Sequence, residues 1–307
     1  MPTTTDIQSL MLIDTDFEKI LTNPILDIAA RFWEEERYDV FKVCYRSMRE
    51  IDDLIDHRKS TGEPISSQEC IAFEKAIKQW TKEISGNSGL FPFQKVISEF
   101  QIPLWPWERL GKAMIYDIGH DGFASFRTFL RYCEGAAISP ASVFVHLCGV
   151  TKNKKSYRAA GFDIRKAARA LALFAYLVHI LRDFEKDQKS NLIYFADDVL
   201  SELQIDKNYL RIWAQKKEPN PALLNLFSRY KSIAGFYQKM SLQTFDWLLP
   251  ILEPRYQLSL KIIYALYSQI FDKISPENGL IFSNTNPTTT EIQECIDLTV
   301  GNFKPAN

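Results

Sequence analysis

Residues 164–187 constrain the fold more than any other stretch. Leu171, Leu173, Phe174, Ala175, Leu177, Val178, Ile180 and Leu181 leave it almost no polar face. A helix that is apolar nearly all round belongs in the middle of a bundle. The rest of the chain supplies that bundle, because helical periodicity dominates it. Helices are expected over 26–57 (one long helix or two closely joined), 67–84, 221–248 and 254–274. Another spans 91–116, interrupted around Pro103 and Pro106. A further one spans 125–148, with Pro140 forcing a kink or break. Gly62 and Pro64 punctuate 60–64, and residues 85–89 end the helix before them. The tail from 275 is rich in Asn, Thr and Pro until a last short helix at 290–299. No convincing alternating strands and no short-period repeat appear. The 307 residues could form one large domain or two small ones, and 46% hydrophobic content suffices for a sizeable core. The 12 glycines are few for an open α/β enzyme. These features predict an all-α, single-domain helical bundle over 1–307, with its core at about 25–274. The 13% aromatic content suits a bulky apolar interior, though ordinary packing would use such residues too.

Several classes are disfavoured. The net charge of −1 gives no global field for nucleic acid. The run Lys152-Asn153-Lys154-Lys155 reads as a solvated loop. Cys44, Cys70, Cys133, Cys148 and Cys295 show no metal-finger spacing, and read as reduced, mostly buried thiols of a cytosolic protein. Residues 1–21 lack the basic-then-apolar order of a secretory signal. No uninterrupted apolar run reaches the about 18 residues of a membrane span. The expected location is cytoplasmic, with peripheral membrane contact left open.

Two acidic stripes about 130 residues apart carry the chemistry. The first reads Tyr45-x3-Arg49-x2-Asp52-Asp53-x2-Asp56. The second reads Tyr176-x2-His179-x2-Arg182-Asp183-x3-Asp187. Each sets two carboxylates four residues apart on one helix face. Like charges at that spacing cost about 0.2–0.5 kcal/mol per pair. Bringing the stripes together would cost more, unless divalent cations sit between them. Carboxylates hold hard cations, and Mg²⁺ commonly takes one or two of them plus phosphate oxygens. Arg49, one turn away, can fork onto phosphate, and Tyr45 can donate a further hydrogen bond. Asp53 lies off the stripe. A solvated helix end would account for the first stripe alone, with His57-Arg58-Lys59 complementing the helix dipole. The second emerges from the most apolar segment of the chain, where unpaired carboxylates are costly. Its bland reading is a helix reaching the surface at Arg182. His179 reads as a metal ligand, a base or a hydrogen-bonded core histidine.

At these residues the chain resembles the squalene/phytoene synthase family of head-to-head prenyltransferases. Tyr45 to Asp56 looks like its first aspartate-rich motif. Ile180-Leu181-Arg182-Asp183-x3-Asp187-x6-Tyr194 looks like its second. Phe126-x2-Phe129-Leu130-Arg131-Tyr132-Cys133-x-Gly135-x-Ala137 is similar to its central cavity helix. Pro250, Arg255 and Tyr267 fit its C-terminal helices.

The resemblance implies an isoprenoid synthase-type bundle with a central apolar cavity. It implies that Mg²⁺ and two prenyl diphosphates, farnesyl or geranylgeranyl, bind there. One substrate ionises to an allylic cation and the other's double bond attacks it. The resulting cyclopropylcarbinyl diphosphate ionises again and rearranges to a squalene- or phytoene-type product. By resemblance, Asp52, Asp56, Asp183 and Asp187 hold the metal. Tyr45, Arg49, Arg182, Tyr194 and Tyr267 serve catalysis and grip substrate, and Tyr132, Ala137, Tyr176 and His179 line the substrate site. NADPH has no sequence handle: no Gly-rich dinucleotide fingerprint appears, but the family's reductive members need none.

The chain also departs from the family pattern. Tyr176 and His179 stand where Gln and Asn are usual. Ala137-Ile138-Ser139-Pro140-Ala141 replaces Ala-Gly-x-Val-Gly. Ile25, Leu26 and Asp27 replace the Ser and aromatic residues common near the first cavity helix, and Leu192 replaces an Arg. Two other outcomes stay open. One is an enzyme that stops at the intermediate, an alcohol or a single-chain product. The other is a non-catalytic protein similar to a complex I assembly factor of the same superfamily.

Overall fold

The computed structural model describes residues 24–86, 91–120, 122–153, 156–282 and 285–306. The early helices are α1 (Pro24–Ala30), α2 (Glu35–Ser60), α3 (Ser67–Ser85), α4 (Phe91–Glu99) and α5 (Trp105–Gly119). Then come α6 (Phe126–Ala136), α7 (Ile138–Gly149), the central α8 (Ile164–Arg182) and α9 (Phe184–Lys189). The last are α10 (Asp197–Glu202), α11 (Asn208–Lys216), α12 (Pro221–Leu248), α13 (Pro254–Lys273) and α14 (Thr289–Gly301). The fold is all-α. Between α7 and α8 a short antiparallel hairpin pairs β1 (Thr151–Asn153) with β2 (Ser156–Arg158).

The central helix is where its composition demands. Leu173, Phe174, Leu177 and Val178 are fully buried, and α7, α12 and α13 pack around α8. Each such side chain contributes about 1.5–3 kcal/mol by leaving water. Local chemistry fixes the helix starts. The Asp163 side chain accepts from the Lys166 amide at 3.0 Å and caps α8. Asn220 caps α12 by accepting from Leu223 at 3.0 Å, with Pro221 in the first turn. Ser66 with Glu69, and Thr288 with Glu291, form reciprocal capping boxes.

The expected boundaries need four corrections. Pro140 does not break its helix. The chain bends at Ala137, between α6 and α7, and Pro140 falls in the first turn of α7, where its missing N–H has no intrahelical partner to lose. Pro106 is likewise in the first turn of α5, so only Pro103 lies in an interruption. The long helix to Asp187 stops at Arg182, and Asp183 joins α8 to α9. The fourth correction concerns elements too short to show a period: α10, α11 and the hairpin. Within it, Lys152 is exposed but anchored, donating to Glu36 at 2.8 Å, rather than free in a loop. Lys154, Lys155, residues 87–89 and the segment 1–21 lie outside the described residues.

The five cysteines are all free, and Cys44, Cys133 and Cys148 are buried. Among the described residues no helix is long and apolar enough to cross a membrane.

Candidate active site

A cavity of about 500 Å³ opens among α2, α6–α9 and α13. That lies within the about 300–1,000 Å³ of ordinary ligand pockets. Its walls are apolar, from Leu26, Ala136, Pro140, Ala141, Phe144, Leu171, Ala172, Leu260 and Ile263 among others. All thirteen residues singled out from the sequence line it: Tyr45, Arg49, Asp52, Asp56, Tyr132, Ala137, Tyr176, His179, Arg182, Asp183, Asp187, Tyr194 and Tyr267. Arg255 does not. It stands in the first turn of α13, facing Glu34 at 3.8 Å.

Helix periodicity brings them there. On α2 the stripe Tyr45, Arg49, Asp52, Asp56 recurs every three or four residues. On α8 the series Ala168, Leu171, Ala172, Ala175, Tyr176, His179 does the same, and on α13 so do Leu260, Ile263 and Tyr267. Tyr194 arrives from a loop. That loop is held by the Leu192 amide donating to the Asp187 carbonyl at 2.8 Å and by Gln188 donating to the Leu192 carbonyl at 3.1 Å.

The two stripes are electrostatically different. At the first, burial and then Asp56 push the Asp52 carboxyl up to about 7, against the pull of Arg49. Burial and then Asp117 push Asp56 up to about 6. The Arg49 guanidinium donates to both Asp52 and Asp53. Its buried Nε has no hydrogen-bond partner. Asp53, which is off the stripe, nevertheless lines the cavity and holds Arg49.

At the second stripe, burial works against the Asp183 charge but loses. Arg182 grips the carboxylate with Nε at 2.6 Å and Nη2 at 2.9 Å, and His179 Nε2 lies 2.8 Å away. Together they hold Asp183 well below the usual carboxylate range. His179 is therefore a hydrogen-bonded partner of a motif aspartate. Asp187 is the reverse case: burial, then Asp183, push it well above its ordinary value, and Asp56 adds to this across the mouth.

Below the acids lies a phenol cluster. Tyr132 and Tyr176 each approach Tyr194, with ring centroids at 6.5 and 6.0 Å, and Tyr176 stacks on Phe129 at 6.3 Å. Burial raises all three phenols well above their usual range. They are neutral donors set into an apolar wall.

Sequence reasoning missed Asp117. It is 6% exposed on α5, and Lys59 donates to its carboxylate and its backbone carbonyl, both at 3.1 Å. Its charge reaches Asp52, Asp56 and the three clustered tyrosines, Tyr132, Tyr176 and Tyr194. The signal was present: Leu110, Met114 and Asp117 share one helical face, so an acid continues an apolar series. Lys186, a cation at the cavity edge, was also passed over.

The donor set suits Mg²⁺ carried with a polyanion better than a bare ion. The acids are hard oxygen donors, and Asp52, Asp56 and Asp187 resist carrying charge together. Among the described residues no three His, Cys, Asp or Glu side chains converge to hold one ion. Mg²⁺ accepts that, since it takes one or two carboxylates and completes its shell from water and phosphate. The partnerless Arg49 Nε fits the same polyanion.

The architecture is that of isoprenoid synthase-type helical enzymes. A dehydrosqualene synthase solved in complex with a ligand superposes with a TM-score of 0.69 at 16% identity, covering 97% of this chain and 96% of that one. A squalene synthase from Alicyclobacillus acidocaldarius gives 0.54 at 14% identity, over 82% of this chain and 98% of its own. The YisP protein of Bacillus subtilis gives 0.53 at 16%, over 86% and 98%. No curated protein matches the chain. The squalene/phytoene synthase family model matches residues 28–293, and the chain belongs to that family. It is a prenyltransferase of the squalene/phytoene synthase type.

Proposed function

We propose that this protein joins two prenyl diphosphates head to head, in one domain, with Mg²⁺. The observation that carries the reading is the meeting of two carboxylate stripes and Arg49 over one apolar cavity. Asp52, Asp56, Asp183 and Asp187 would hold Mg²⁺, which neutralises the diphosphate and stabilises the charge that develops as it leaves. Arg49, Arg182 and Lys186 bind phosphate oxygens. Tyr45 and Tyr267 stand beside Arg49 and Arg182 to orient the same group. The apolar walls exclude water from the allylic cation formed when the C–O bond breaks. The second chain's double bond then supplies the electron pair for the new C–C bond. A proton is lost as the cyclopropane closes.

A second reading rests on Tyr176 and His179. Three phenol hydroxyls beneath the acidic mouth place polar groups where a cation would travel. That favours a reaction that ends early, at the cyclopropylcarbinyl diphosphate, an alcohol or a single-chain product.

One experiment separates them. Purified protein receives Mg²⁺ with farnesyl or geranylgeranyl diphosphate, offered separately, with and without NADPH. Mass spectrometry then counts prenyl units and oxygens. A two-unit hydrocarbon supports the leading reading. A one-unit or oxygenated product supports the second. No turnover, together with no thermal stabilisation by Mg²⁺ and a diphosphate analogue, sinks both and leaves the non-catalytic protein.

A further inference from the structure

The loop that carries Tyr194 from α9 to α10 is fastened at both ends, but by different means. Near α9 the bonds are local: the Leu192 amide donates to the Asp187 carbonyl, and Gln188 donates to the Leu192 carbonyl. Near α10 they reach across the fold. The Asp197 amide donates to the Phe123 carbonyl at 2.8 Å. The Ala196 amide donates to the side-chain hydroxyl of Tyr230, also at 2.8 Å.

Tyr230 belongs to α12. It continues the buried series Leu223, Leu226, Phe227 and Ala234, and no part of it is exposed. Its ring packs edge-on against Phe195 at 4.8 Å and Phe126 at 5.9 Å. A phenylalanine would make the same ring contacts. The hydroxyl adds nothing to that packing, and in an apolar wall it costs free energy unless it is hydrogen-bonded. Its use is the Ala196 amide. Ala196 is itself fully buried, so its amide needs a partner there.

The two fastenings bracket Tyr194. Phe195, next to it, is wedged among Phe184, Phe227 and Tyr230, while Tyr194 lines the cavity beside Tyr132 and Tyr176. Tyr230 is not part of that lining. We propose that the Tyr230 hydroxyl is a positioning group for the reaction, which rests on the reading that Tyr194 serves the cavity's chemistry. Through the Ala196 amide it sets where the Tyr194 phenol stands. The ring of Tyr230 packs the core, and its oxygen aims the loop.

Tyr230→Phe keeps the ring and removes only the acceptor. The purified variant should melt roughly 2–6 °C below the parent, as for one buried amide left unpaired. Its turnover of a prenyl diphosphate with Mg²⁺ should fall about tenfold, within the roughly 10²-fold that a misplacement of about 1 Å can cost. In a Tyr194→Phe background the same substitution should change turnover by less than about twofold, because the phenol it positions is already gone. A merely structural loss would be equal in both backgrounds.

Fluorine NMR of the fluorotyrosine-labelled chain gives a readout independent of turnover. The Tyr194 resonance, identified by its absence in Tyr194→Phe, should shift or broaden in Tyr230→Phe. The Tyr45 and Tyr267 resonances should not. An unmoved Tyr194 resonance, or equal turnover losses in the two backgrounds, overturns the proposal. So does an unfolded Tyr230→Phe, because the hydroxyl would then carry the fold rather than one loop. A parent without turnover sinks the head-to-head reading separately. In that case, or where Tyr194→Phe leaves no turnover to compare, the Tyr194 resonance decides.

Discussion

Asp56 binds its proton more tightly in the folded chain than in the unfolded one, because burial and Asp117 hold its carboxyl near about 6. A group whose folded value is raised stabilises the fold fully below its unfolded value. That stability is lost as pH rises through the folded value. Without Mg²⁺, Asp56 therefore destabilises the protein above about pH 6 and is harmless at about pH 4, near an unperturbed aspartate. Asp56→Asn removes that charge. Its melting temperature should exceed the parent's at pH 8, and the difference should vanish as pH falls towards 4. Its turnover should fall about 10²–10³-fold, as when one transition-state charge stabiliser is lost. A variant less stable than the parent at pH 8 would show that Asp56 is a structural ion-pair partner instead. Asp56 was legible in the sequence because its spacing to Asp52 is a property of one helix. Asp117 was legible only as an acid on an apolar helix face; its closeness to Asp56 was not, because that is made only when α5 packs on α2. The lysine that fixes Asp117 is itself on α2, one turn beyond Asp56, but nothing in the order of residues says which acid it meets.

At the scale of elements, Gly135 sets how closely α6 approaches α5. A Cβ there would stand 2.3 Å from the Arg109 carbonyl oxygen and 2.5 Å from the Ala113 Cβ. Neither neighbour is a flexible side-chain end, so the two helices must part. Gly135→Ala should destabilise by about 1–3 kcal/mol, as overpacking does. It should also move Tyr132, one turn earlier on α6, away from Tyr194. Denaturant unfolding measures the first effect and the KM for a prenyl diphosphate the second. A neutral result on both would mean that α6 shifts freely. Helix existence was readable from the 3.6-residue period in every long element. Helix ends were less so, because a proline breaks a helix only beyond its first turn. Pro140 and Pro106 both fall inside a first turn, and the bend near Pro140 came at Ala137 instead. The helices α10 and α11 are too short for periodicity to register.

At the scale of the molecule, the bundle brings together charges that the chain keeps about 130 residues apart. Asp56 raises Asp187 across the mouth, so bringing the two stripes together sets like charges against each other. Mg²⁺ alone relieves part of this, since no three acidic or imidazole side chains among the described residues meet at one point. A diphosphate alone relieves Arg49 but adds negative charge facing the acids. Only the pair answers both demands. Mg²⁺ with inorganic pyrophosphate should therefore raise the melting temperature by about 4 °C at a hundredfold excess over Kd, for a chain of this length. Either component alone should give less than half of that. The shift should be larger at pH 8 than at pH 5.5, because Asp52, Asp56 and Asp187 must give up protons to bind the metal. Equal shifts at the two pH values would place the pyrophosphate on the arginines alone. The acidic stripes would then be a cost the fold carries for another reason.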